Sequence, residues 1–478
     1  MRTKLSANND SHQRQAFRVF LAVLLLVCLT GQNSVGQVSA AVRTAPQTRL
    51  VVRDSLGLSG ILNLCGLLGC SSVESLGDPQ GQLFAIQIPS ALAPVTSLLN
   101  ISILGLVSIE TDQVVQTQAA SAGVTPGYLT DEAPYSYYGS TVWHGYVYQP
   151  AYTIIRTNTT LSAFNTTGSG VTVADIDTGV DPNHPVLKNS LVAGYDFTRN
   201  QSGGSEMGDV TQSSVAVLDG SAQPAHVSQS SVAVLDQSSV AVLDGNPNYA
   251  AFGHGTMTAG LIHLVAPQAK IMPLKSFQAN GSGYDSDILR AIYYAVGHGA
   301  KVINMSFNYT SYSQELANAV NYATANGVIC VAAAGNSGEQ TNVYPGALKG
   351  VIDVASTSNN DTPSTFSNYG APPVWLAAPG EGVMTTYPFG TYAAGWGTSF
   401  STPLVSGTAA LMVSAYNGKA SSSGLLGSLL GALSSNSFEP QAANALAHAQ
   451  SIPDPQMGHG RLDTYQAVQA WRTSLGIK

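Results

Sequence analysis

Four short motifs contain the side chains that are best suited to chemistry. Asp177 lies in Asp-Thr-Gly, His254 in Gly-His-Gly-Thr, Asn336 in Ala-Gly-Asn-Ser and Ser399 in Gly-Thr-Ser-Phe. A carboxylate beside an imidazole fixes its tautomer, and the imidazole then takes a proton from a hydroxyl nucleophile. An amide side chain donates a hydrogen bond to a developing oxyanion without changing its own charge. Together these residue types indicate attack by a serine on a carbonyl carbon.

Asp177 follows the apolar, strand-like run Val171–Ile176. Open α/β sheets place active sites in the loops at the carboxyl ends of parallel strands. Aspartic proteases also use Asp-Thr-Gly, normally followed by Ser or Thr, and they need two carboxylates that share a proton. Here Val180 follows, and the sequence has no second Asp-Thr-Gly or Asp-Ser-Gly. An aspartic protease is therefore the weaker alternative.

Ser399 precedes a helix-like stretch, and small residues surround His254 at the start of another. A serine at a helix start lies near backbone N–H donors and the positive end of the helix dipole, which stabilise an oxyanion. A lone histidine is more often structural, and we interpret His184, His263 and His298 in that way. His254 differs from them because the other motifs accompany it.

The order Asp, His, Asn, Ser resembles that of the subtilisin-like serine proteases over about residues 153–471. The resemblance implies that Ser399 is the nucleophile, His254 the general base and Asp177 its orienting acid. It also implies that Asn336 and the Ser399 N–H bind the oxyanion. A second alternative, a non-enzymatic pseudo-protease, is opposed by the intact set of all four residues.

The resemblance also locates a substrate groove. One pocket wall is expected in the segment before Tyr309, a second before Asn336, and a Gly-Ser-Gly edge is expected to pair with the substrate backbone. The implied substrate-binding residues are Gly281, Ser282, Gly283, Ser306, Phe307, Asn308, Ala333, Ala334 and Gly335. Relatives often have Gly-Gly where Asn308-Tyr309 stand here, and glycine where Val343 stands. Both changes predict a narrow pocket for small or medium side chains.

No cofactor is expected. Many relatives bind calcium through an acid shortly after the Asp motif and through a loop after the His motif. Val186 stands at the position of that acid, and Pro267 follows His254 too closely for the loop. The strong calcium site of relatives is therefore predicted to be absent, whereas a weak site elsewhere stays open. No Cys/His spacing resembles a zinc site.

Composition excludes one class of partner. Charged residues are only 10% of the chain and the net charge is −8, whereas nucleic acid binding needs a basic face. Hydrophobic residues are 44% of the chain, enough for a large packed core. We expect the substrates to be proteins or peptides. We also expect the protein to be a monomer.

Residues 1–40 have the pattern of an export signal. Basic residues precede the apolar run Val19–Leu29, and Val38-Ser39-Ala40 ends in small residues. The run has 11 residues, whereas a bilayer-spanning helix needs about 20. An uncleaved anchor and a lipoprotein at Cys28 are weaker alternatives. The prediction is a secreted protein, extracellular or periplasmic, without a membrane segment after signal cleavage.

Residues 41–115 are predicted to form a small α+β module. Strand-like and helix-like pieces lie at Thr48–Arg53, Ser55–Leu68, Gln82–Ile88, Leu92–Leu99 and Gly105–Asp112, and the order is interpreted as strand, helix, strand, strand, helix, strand. The module resembles the inhibitor-like, ferredoxin-like propeptide of the family, which implies that it assists folding, blocks the groove and is then removed. Cys65 and Cys70 within it are either bridged, which export permits, or two buried thiols.

Residues 116–152 are rich in Gly, Ser, Pro and Tyr and are interpreted as a linker or N-terminal arm. Residues 153–478 alternate strands and helices, which predicts an α/β domain with a mostly parallel central sheet. The resemblance implies a subtilisin-like, three-layer fold for it.

Predicted strands of this domain are Val171–Ile176, Lys270–Leu274, Val302–Met305, Val328–Ala333 and Gly350–Ala355. Predicted helices are Gly255–Leu264, Asp285–Val296, Ser313–Ala325, Thr402–Ser414 and Leu462–Ala470.

Two features have no explanation in the sequence. The octapeptide Gln-Ser-Ser-Val-Ala-Val-Leu-Asp occurs three times, at 212–219, 229–236 and 237–244, within a predicted surface insertion at 198–249. Asp175 lies inside an otherwise apolar strand, on the same face as Asp177. A buried carboxylate needs partners, and the sequence does not show them. The combined prediction is a secreted serine endopeptidase that acts through an acyl-enzyme and processes its own precursor.

Overall fold

The computed structural model describes most of the chain after the predicted signal. The described residues are 46–96, 105–116, 127–210, 228–229, 232–234, 247–370, 373–420 and 438–477. The predicted signal peptide, the first and third copies of the octapeptide and part of the second lie outside these residues. No helix within the described ranges is long and apolar enough to cross a membrane.

An N-terminal module precedes the main domain. It contains β1 (Gln47–Asp54), α1 (Leu58–Leu68), β2 (Ser72–Ser75), β3 (Leu83–Pro89), α2 (Ala93–Thr96) and β4 (Leu106–Thr111). The strands form a sheet in the order β2-β3-β1-β4, and each pairs antiparallel with its neighbours. Apolar residues of β1, β3 and α1 form the core of the module, and a disulfide joins Cys65 to Cys70. The predicted order strand, helix, strand, strand, helix, strand is present, although sequence analysis assigned no residues to β2, which is short and polar.

A tyrosine-rich arm follows the module. It contains β6 (Pro134–Tyr137), β7 (Ser140–Trp143), α3 (His144–Val147), α4 (Pro150–Ile154) and α5 (Thr157–Phe164); the short strand β5 (Val114–Gln116) precedes it. The arm packs on the main domain through buried tyrosines. Tyr137 donates to the Leu264 carbonyl and Tyr146 to the Gly260 carbonyl, each at 2.6 Å.

An eight-stranded sheet organises the main domain. Its order is β10-β9-β13-β8-β15-β16-β17-β18, and every neighbouring pair except β10-β9 is parallel. The strands are β8 (Thr172–Asp177), β9 (Tyr195–Asp196), β10 (Gln201–Ser202), β13 (Lys270–Lys275), β15 (Val302–Met305), β16 (Ile329–Ala333), β17 (Val351–Thr357) and β18 (Leu376–Pro379). The predicted α/β class with a mostly parallel sheet is confirmed.

Helices cover both faces of this sheet. The long helices are α6 (His254–Val265), α7 (Asp285–Gly297), α8 (Gln314–Ala325), α9 (Thr398–Ala420), α10 (Phe438–Leu446) and α11 (Thr464–Ser474). One core contains apolar residues of α6, α9 and α11, and the other contains those of α7 and α8. Alternate residues of β8 face the two cores, so Val173 belongs to the first and Ala174 to the second.

A smaller sheet lies before the Ser399 motif. Its order is β11-β12-β20-β19, with strands β11 (Ser228–Gln229), β12 (Val232–Val234), β19 (Val383–Tyr387) and β20 (Thr391–Gly395). The strand β12 belongs to the second octapeptide and pairs antiparallel with β20. The strand β14 (Ser282–Tyr284) joins neither the eight-stranded sheet nor the smaller one. It pairs with β5.

Candidate active site

Asp177 and His254 form a buried hydrogen-bonded pair at the carboxyl edge of the large sheet. Asp177 is the last residue of β8, and His254 is the first residue of α6. The Nδ1 atom of His254 lies 2.7 Å from Oδ1 and 2.9 Å from Oδ2 of Asp177. The preceding Gly253 has φ of +89°, a conformation that glycine adopts without strain. The Asp177 carboxylate therefore fixes His254 in the tautomer that leaves Nε2 available as a base.

Two opposing effects act on the His254 ring. Burial disfavours the imidazolium, but the charge of Asp177 and its hydrogen bond outweigh burial and raise the pKa above the ordinary histidine value. The pair excludes most solvent, since Asp177 is 2% and His254 9% exposed. A buried carboxylate beside the ring is the arrangement that stabilises a histidine when it accepts a proton.

Ser399 lies in the first turn of α9 and is 6% exposed. Its hydroxyl donates to the carbonyl of Ser306 at 2.9 Å rather than to the His254 ring. The sequence predicted a helix start at Thr402, but the helix starts at Thr398, so Pro403 lies inside it. Proline has no N–H to bond to the carbonyl four residues earlier, which is the carbonyl of Ser399.

Asn336 lies beside the start of α9. Its Oδ1 accepts from the backbone N–H of Thr398 at 2.9 Å and from the Thr398 hydroxyl at 3.0 Å. Because Oδ1 is the acceptor in both contacts, Nδ2 is the donor end of this side chain. Asn336, one predicted oxyanion donor, is therefore bound to the residue that precedes Ser399, whose N–H is the other.

The two predicted pocket walls face each other. A Cβ at Gly335, which has φ of +101°, would lie 2.5 Å from Nδ2 of Asn368 and 3.3 Å from Oδ1 of Asn308. The Asn368 side chain fixes this wall, donating to the Ala334 carbonyl and accepting from the Ser337 N–H. On the other wall, Asn308 is buried and its Oδ1 has no hydrogen-bond partner among the described residues.

The remaining predicted groove residues are distributed over both walls and one edge. Ser306 is the acceptor for Ser399, and the Phe307 ring packs against Phe277. Ala333 ends β16 and is buried with Ala334. Ser282 and Gly283 lie in β14, and Gly281 precedes it with φ of +82°.

A segment of the chain itself occupies the Gly-Ser-Gly edge. Val115 of β5 pairs with Gly283 of β14, and Gln116 pairs with Ser282, in antiparallel register. The Gln116 side chain also donates to the Asn280 carbonyl at 2.7 Å. The edge therefore accepts an extended peptide through backbone hydrogen bonds, which is the pairing predicted for a substrate.

Sequence analysis missed Glu206, which lies next to the Asp177–His254 pair. Its carboxylate accepts from the Gly253 N–H at 2.7 Å, from the Thr178 hydroxyl at 3.1 Å and from the Thr256 hydroxyl. Glu206 is completely buried, so the interpretation of 198–249 as a surface insertion is wrong for this residue. No local pattern identifies it, because its three partners are distant in sequence.

Burial raises the pKa of Glu206 to about 7, against the hydrogen bonds that favour its ionised form. Lys275 lies nearby, fully buried, and donates to the Thr178 carbonyl at 2.8 Å and to Asp209 at 2.7 Å. Glu206 and Lys275, from two other segments, therefore both bind Thr178 in the loop after β8.

No group of three or more His, Cys, Asp and Glu side chains within the described ranges is arranged to hold a metal ion. That the strong calcium site of relatives is absent stays a prediction. Whether a weak calcium site exists elsewhere stays open.

Comparison with known proteins agrees with this geometry. The family model described as "Subtilase family" (peptidase S8) matches residues 168–450. The chain is 36% identical over 257 residues to thermitase of Thermoactinomyces vulgaris, covering 52% of this chain and 76% of that protein. It is 41% identical over 178 residues to subtilisin Savinase of Lederbergia lenta, covering 35% of this chain and 64% of that protein.

Two solved structures are also similar. A lanthipeptide protease has a TM-score of 0.51 and 25% identity, covering 68% of this chain and 94% of the other. Fervidolysin from Fervidobacterium pennivorans, a keratinolytic enzyme related to subtilisin, has a TM-score of 0.63 and 20% identity, covering 89% of this chain and 61% of the other. The latter likeness supports the fold alone.

Proposed function

The chain belongs to the subtilase family of serine-type endopeptidases, and we propose that it is a secreted enzyme made as a precursor that cleaves itself. The catalytic part depends on the buried Asp177–His254 pair and on Ser399 in the first turn of α9. The ring of the next residue, Phe400, lies 5.6 Å from the His254 ring between centroids. The precursor part depends on the chain segment that occupies the Gly-Ser-Gly edge. Export accords with the apolar run after the N-terminal basic residues and with the disulfide of the module.

The proposed reaction is acyl transfer through an acyl-enzyme. The Ser399 hydroxyl turns from the Ser306 carbonyl toward Nε2 of His254, which takes its proton as Oγ attacks the scissile carbonyl carbon. Asp177 stabilises the imidazolium that forms. The imidazolium then gives the proton to the leaving amine, and water releases the acyl group from Ser399 by the same steps in reverse.

Negative charge on the attacked oxygen is stabilised at the start of α9. Nδ2 of Asn336 and the Ser399 N–H are the proposed donors, and Thr398 holds Asn336 in orientation. Donors that are already oriented need no reorganisation when the charge develops, which makes such a site effective.

Self-inhibition follows from how the N-terminal module contacts the main domain. Asp112 accepts from the Ser286 N–H at 2.9 Å, at the start of α7, and Glu110 accepts from the Gln314 N–H at 3.1 Å, at the start of α8. Both acids therefore occupy the position of helix caps from outside the domain. Together with β5 on β14, these contacts hold the module over the groove.

The self-cleaved bond is proposed to lie between residues 116 and 127. Residues up to Gln116 are bound at the groove edge, whereas the arm that includes Tyr137 and Tyr146 is packed into the main domain. Cutting between them frees the module and leaves the arm in place.

The proposal is tested by expressing the full chain beside a Ser399→Ala variant, with a fluorophosphonate probe and chain size as readouts. We expect labelling and shortening in the wild type and neither in the variant, with turnover lowered about 10⁶-fold, the loss known for the corresponding serine in subtilisin. N-terminal sequencing of the shortened chain should place its first residue within 117–127. Labelling without shortening would contradict self-processing alone. Activity blocked by pepstatin but not by the probe would contradict the serine mechanism.

A further inference from the structure

Four buried polar side chains meet directly beneath the catalytic residues, and we call them the Asp175 cluster: Asp175, Thr258, Asn304 and Ser406. Asp175 Oδ1 accepts from Nδ2 of Asn304 at 2.8 Å, and its Oδ2 lies 2.9 Å from the Thr258 hydroxyl. The Ser406 hydroxyl donates to Oδ1 of Asn304 at 2.8 Å. All four residues are buried, so the cluster has no solvent to satisfy its polar atoms.

Each member comes from an element that also places part of the active site. Asp175 is two residues before Asp177 on β8, Thr258 is one turn after His254 on α6, and Ser406 follows Ser399 on α9. Asn304 lies on β15 and donates also to the Ser306 hydroxyl at 2.9 Å.

Ser306 in turn supplies the carbonyl that accepts from Ser399. The cluster therefore ties together the elements that carry the acid, the base and the nucleophile.

Counting hydrogens shows which form of Asp175 fits this cluster. The Thr258 hydroxyl has a single proton, yet it lies 2.9 Å from Oδ2 of Asp175 and 3.1 Å from the Gly255 carbonyl. Both partners are acceptors if Asp175 is ionised, so one contact is left without a proton. If Oδ2 of Asp175 carries a proton, it donates to Thr258, and Thr258 donates to Gly255. Both amide hydrogens of Asn304 are already used, on Asp175 and Ser306.

We propose that Asp175 keeps a proton at neutral pH and that, as a neutral carboxylic acid, it is a positioning residue that aligns the elements bearing Asp177, His254 and Ser399. The inference deepens the proteolytic function proposed above and rests on it. Asp175 does not touch the reacting atoms; it acts through Thr258 and Asn304.

The charges around Asp175 agree with this state. Burial, and then the negative charge of Asp177, raise the pKa of Asp175 to about 8. The titratable groups that face it are Asp177 on its own strand and His254 on α6, while β15 and α9 contribute the uncharged Asn304 and Ser406. Farther out, Glu206 adds negative charge near His254, and Lys275 adds positive charge near Glu206. Ionisation of Asp175 would put a second buried negative charge beside Asp177.

A spectroscopic test needs no activity and therefore separates this proposal from the proteolytic one. The infrared spectrum of full-chain Ser399→Ala protein is compared with that of Ser399→Ala carrying Asp175→Asn. At pH 6 the difference should contain the carbonyl band of one protonated carboxyl, and that band should vanish as the pH rises through about 8. The substitution isolates Asp175 from other buried acids such as Asp353. A difference that contains only carboxylate bands at pH 6 would overturn the proposal.

A kinetic test then distinguishes positioning from mere stability. Asparagine reproduces the neutral acid, with an amide that donates to Thr258 and an oxygen that accepts from Asn304. Alanine removes the hydrogen bonds to both Thr258 and Asn304, so Asp175→Ala should lower kcat at least tenfold with little change in KM. Asp175→Asn should restore kcat. The wild-type to Asp175→Asn ratio of kcat/KM should be constant at acid and neutral pH and fall several-fold through about pH 8.

The matched control is Asp353→Asn, which replaces another completely buried carboxyl in the same sheet, on β17. It should give a pH-independent ratio. A ratio for Asp175→Asn that is equally independent of pH, in folded protein, would overturn the positioning role. So would an alanine variant with unchanged kcat.

Discussion

The Asp177–His254 pair is the residue-scale feature that determines how activity depends on pH. Both atoms of the carboxylate lie within 2.9 Å of Nδ1 of His254, and the net effect of burial and of this charge is a raised pKa for the imidazole. A protonated imidazole cannot take the proton of Ser399. The free enzyme is therefore inactive below the pKa of His254 and becomes active as the pH rises through it.

The first prediction concerns this acid limb. The kcat/KM for a peptide anilide should rise through an apparent pKa above 6.5, the ordinary value for histidine. Asp177→Asn removes the charge that raises the pKa and favours the wrong tautomer. It should lower kcat by about 10⁴, as in other serine proteases, and move the residual acid limb to lower pH. An unchanged acid limb in this variant would show that another group controls it.

A second prediction concerns Asn336, whose Oδ1 is held by Thr398. Asn336→Ala removes a donor needed only when the oxyanion forms, so kcat should fall by about 10²–10³ while KM stays nearly constant, as for the equivalent donor in subtilisin. Asn326→Ala, at the end of α8 and exposed, is the control and should leave both constants unchanged. A large rise in KM at constant kcat would assign Asn336 to substrate binding instead.

At the scale of elements, the start of α6 and the loop after β8 are joined by one carboxylate. Glu206 accepts from Gly253 and Thr256 at the start of α6 and from Thr178 in the loop. The Thr178 hydroxyl itself accepts from the Gly255 N–H at 2.9 Å. The relative position of Asp177 and His254 therefore depends on an element that contributes nothing to the chemistry.

The third prediction is that Glu206→Gln lowers both turnover and the pH dependence of stability. The pKa of Glu206 is raised from 4.5 to about 7 in the folded protein. Between those values the folded chain holds a proton that the unfolded chain has lost, so the contribution of Glu206 to stability falls as pH rises from 4.5 to 7 and is level above. Glutamine cannot titrate, so this slope should be lost. Its NH₂ group would face groups that donate to the carboxylate in the wild type, which should disturb the start of α6 and lower turnover.

Unfolding free energy of full-chain Ser399→Ala protein, measured against pH with and without Glu206→Gln, checks the slope. Kinetics of the active chain check turnover. Glu339→Gln, an exposed acid, is the control for both. If Glu206→Gln leaves kcat unchanged in folded protein, the carboxylate is only structural.

Most elements of the main domain could be predicted from the sequence, because buried parallel strands are short apolar runs and amphipathic helices separate them. The predicted strand Val302–Met305 has the same bounds as β15. The predicted helix Asp285–Val296 ends one residue before α7 does. The start of α9 was missed because Pro403 suggests a first turn. The helix starts instead at Thr398, whose N–H and hydroxyl donate to the distant Asn336.

Contacts between distant elements could be predicted only for the motifs that carry the family resemblance, such as Asp177 with His254. Asp175 was visible as an anomaly, but its partners Thr258 and Asn304 lie 83 and 129 residues away in sequence. Glu206 looked like part of a polar insertion for the same reason. Residue types and local spacing identify the groups that react, whereas the groups that align them are identified only by the fold.

At the scale of the whole molecule, both apolar packing and charge hold the N-terminal module on the main domain. Val51, Leu76 and Leu83 of the module belong to the same buried core as apolar residues of α7 and α8. Arg53 on β1 donates to both carboxylate oxygens of Glu315 on α8, from Nε to Oε1 at 3.1 Å and from Nη2 to Oε2 at 2.6 Å. Arg53 also pairs with Asp78 of the module. Burial opposes ionisation of Glu315, but the hydrogen bonds from Arg53 and Ser108 outweigh it and lower its pKa. The pair is mostly removed from solvent, so it is screened less than a surface pair.

The last prediction concerns release of this module. Arg53→Ala leaves Glu315 as a buried charge without its main partner, which costs several kcal/mol in comparable pairs. The module should therefore dissociate sooner, and the lag between purification of the precursor and full activity should shorten at least tenfold. Arg53→Lys keeps the charge but loses the two-pronged geometry, so its lag should be intermediate. Salt screens the attraction between Arg53 and Glu315, so the lag should also shorten as salt rises in the wild type, and less so in Arg53→Ala. Equal lags in all three proteins would show that the other contacts of the module, and not the Arg53–Glu315 pair, limit release.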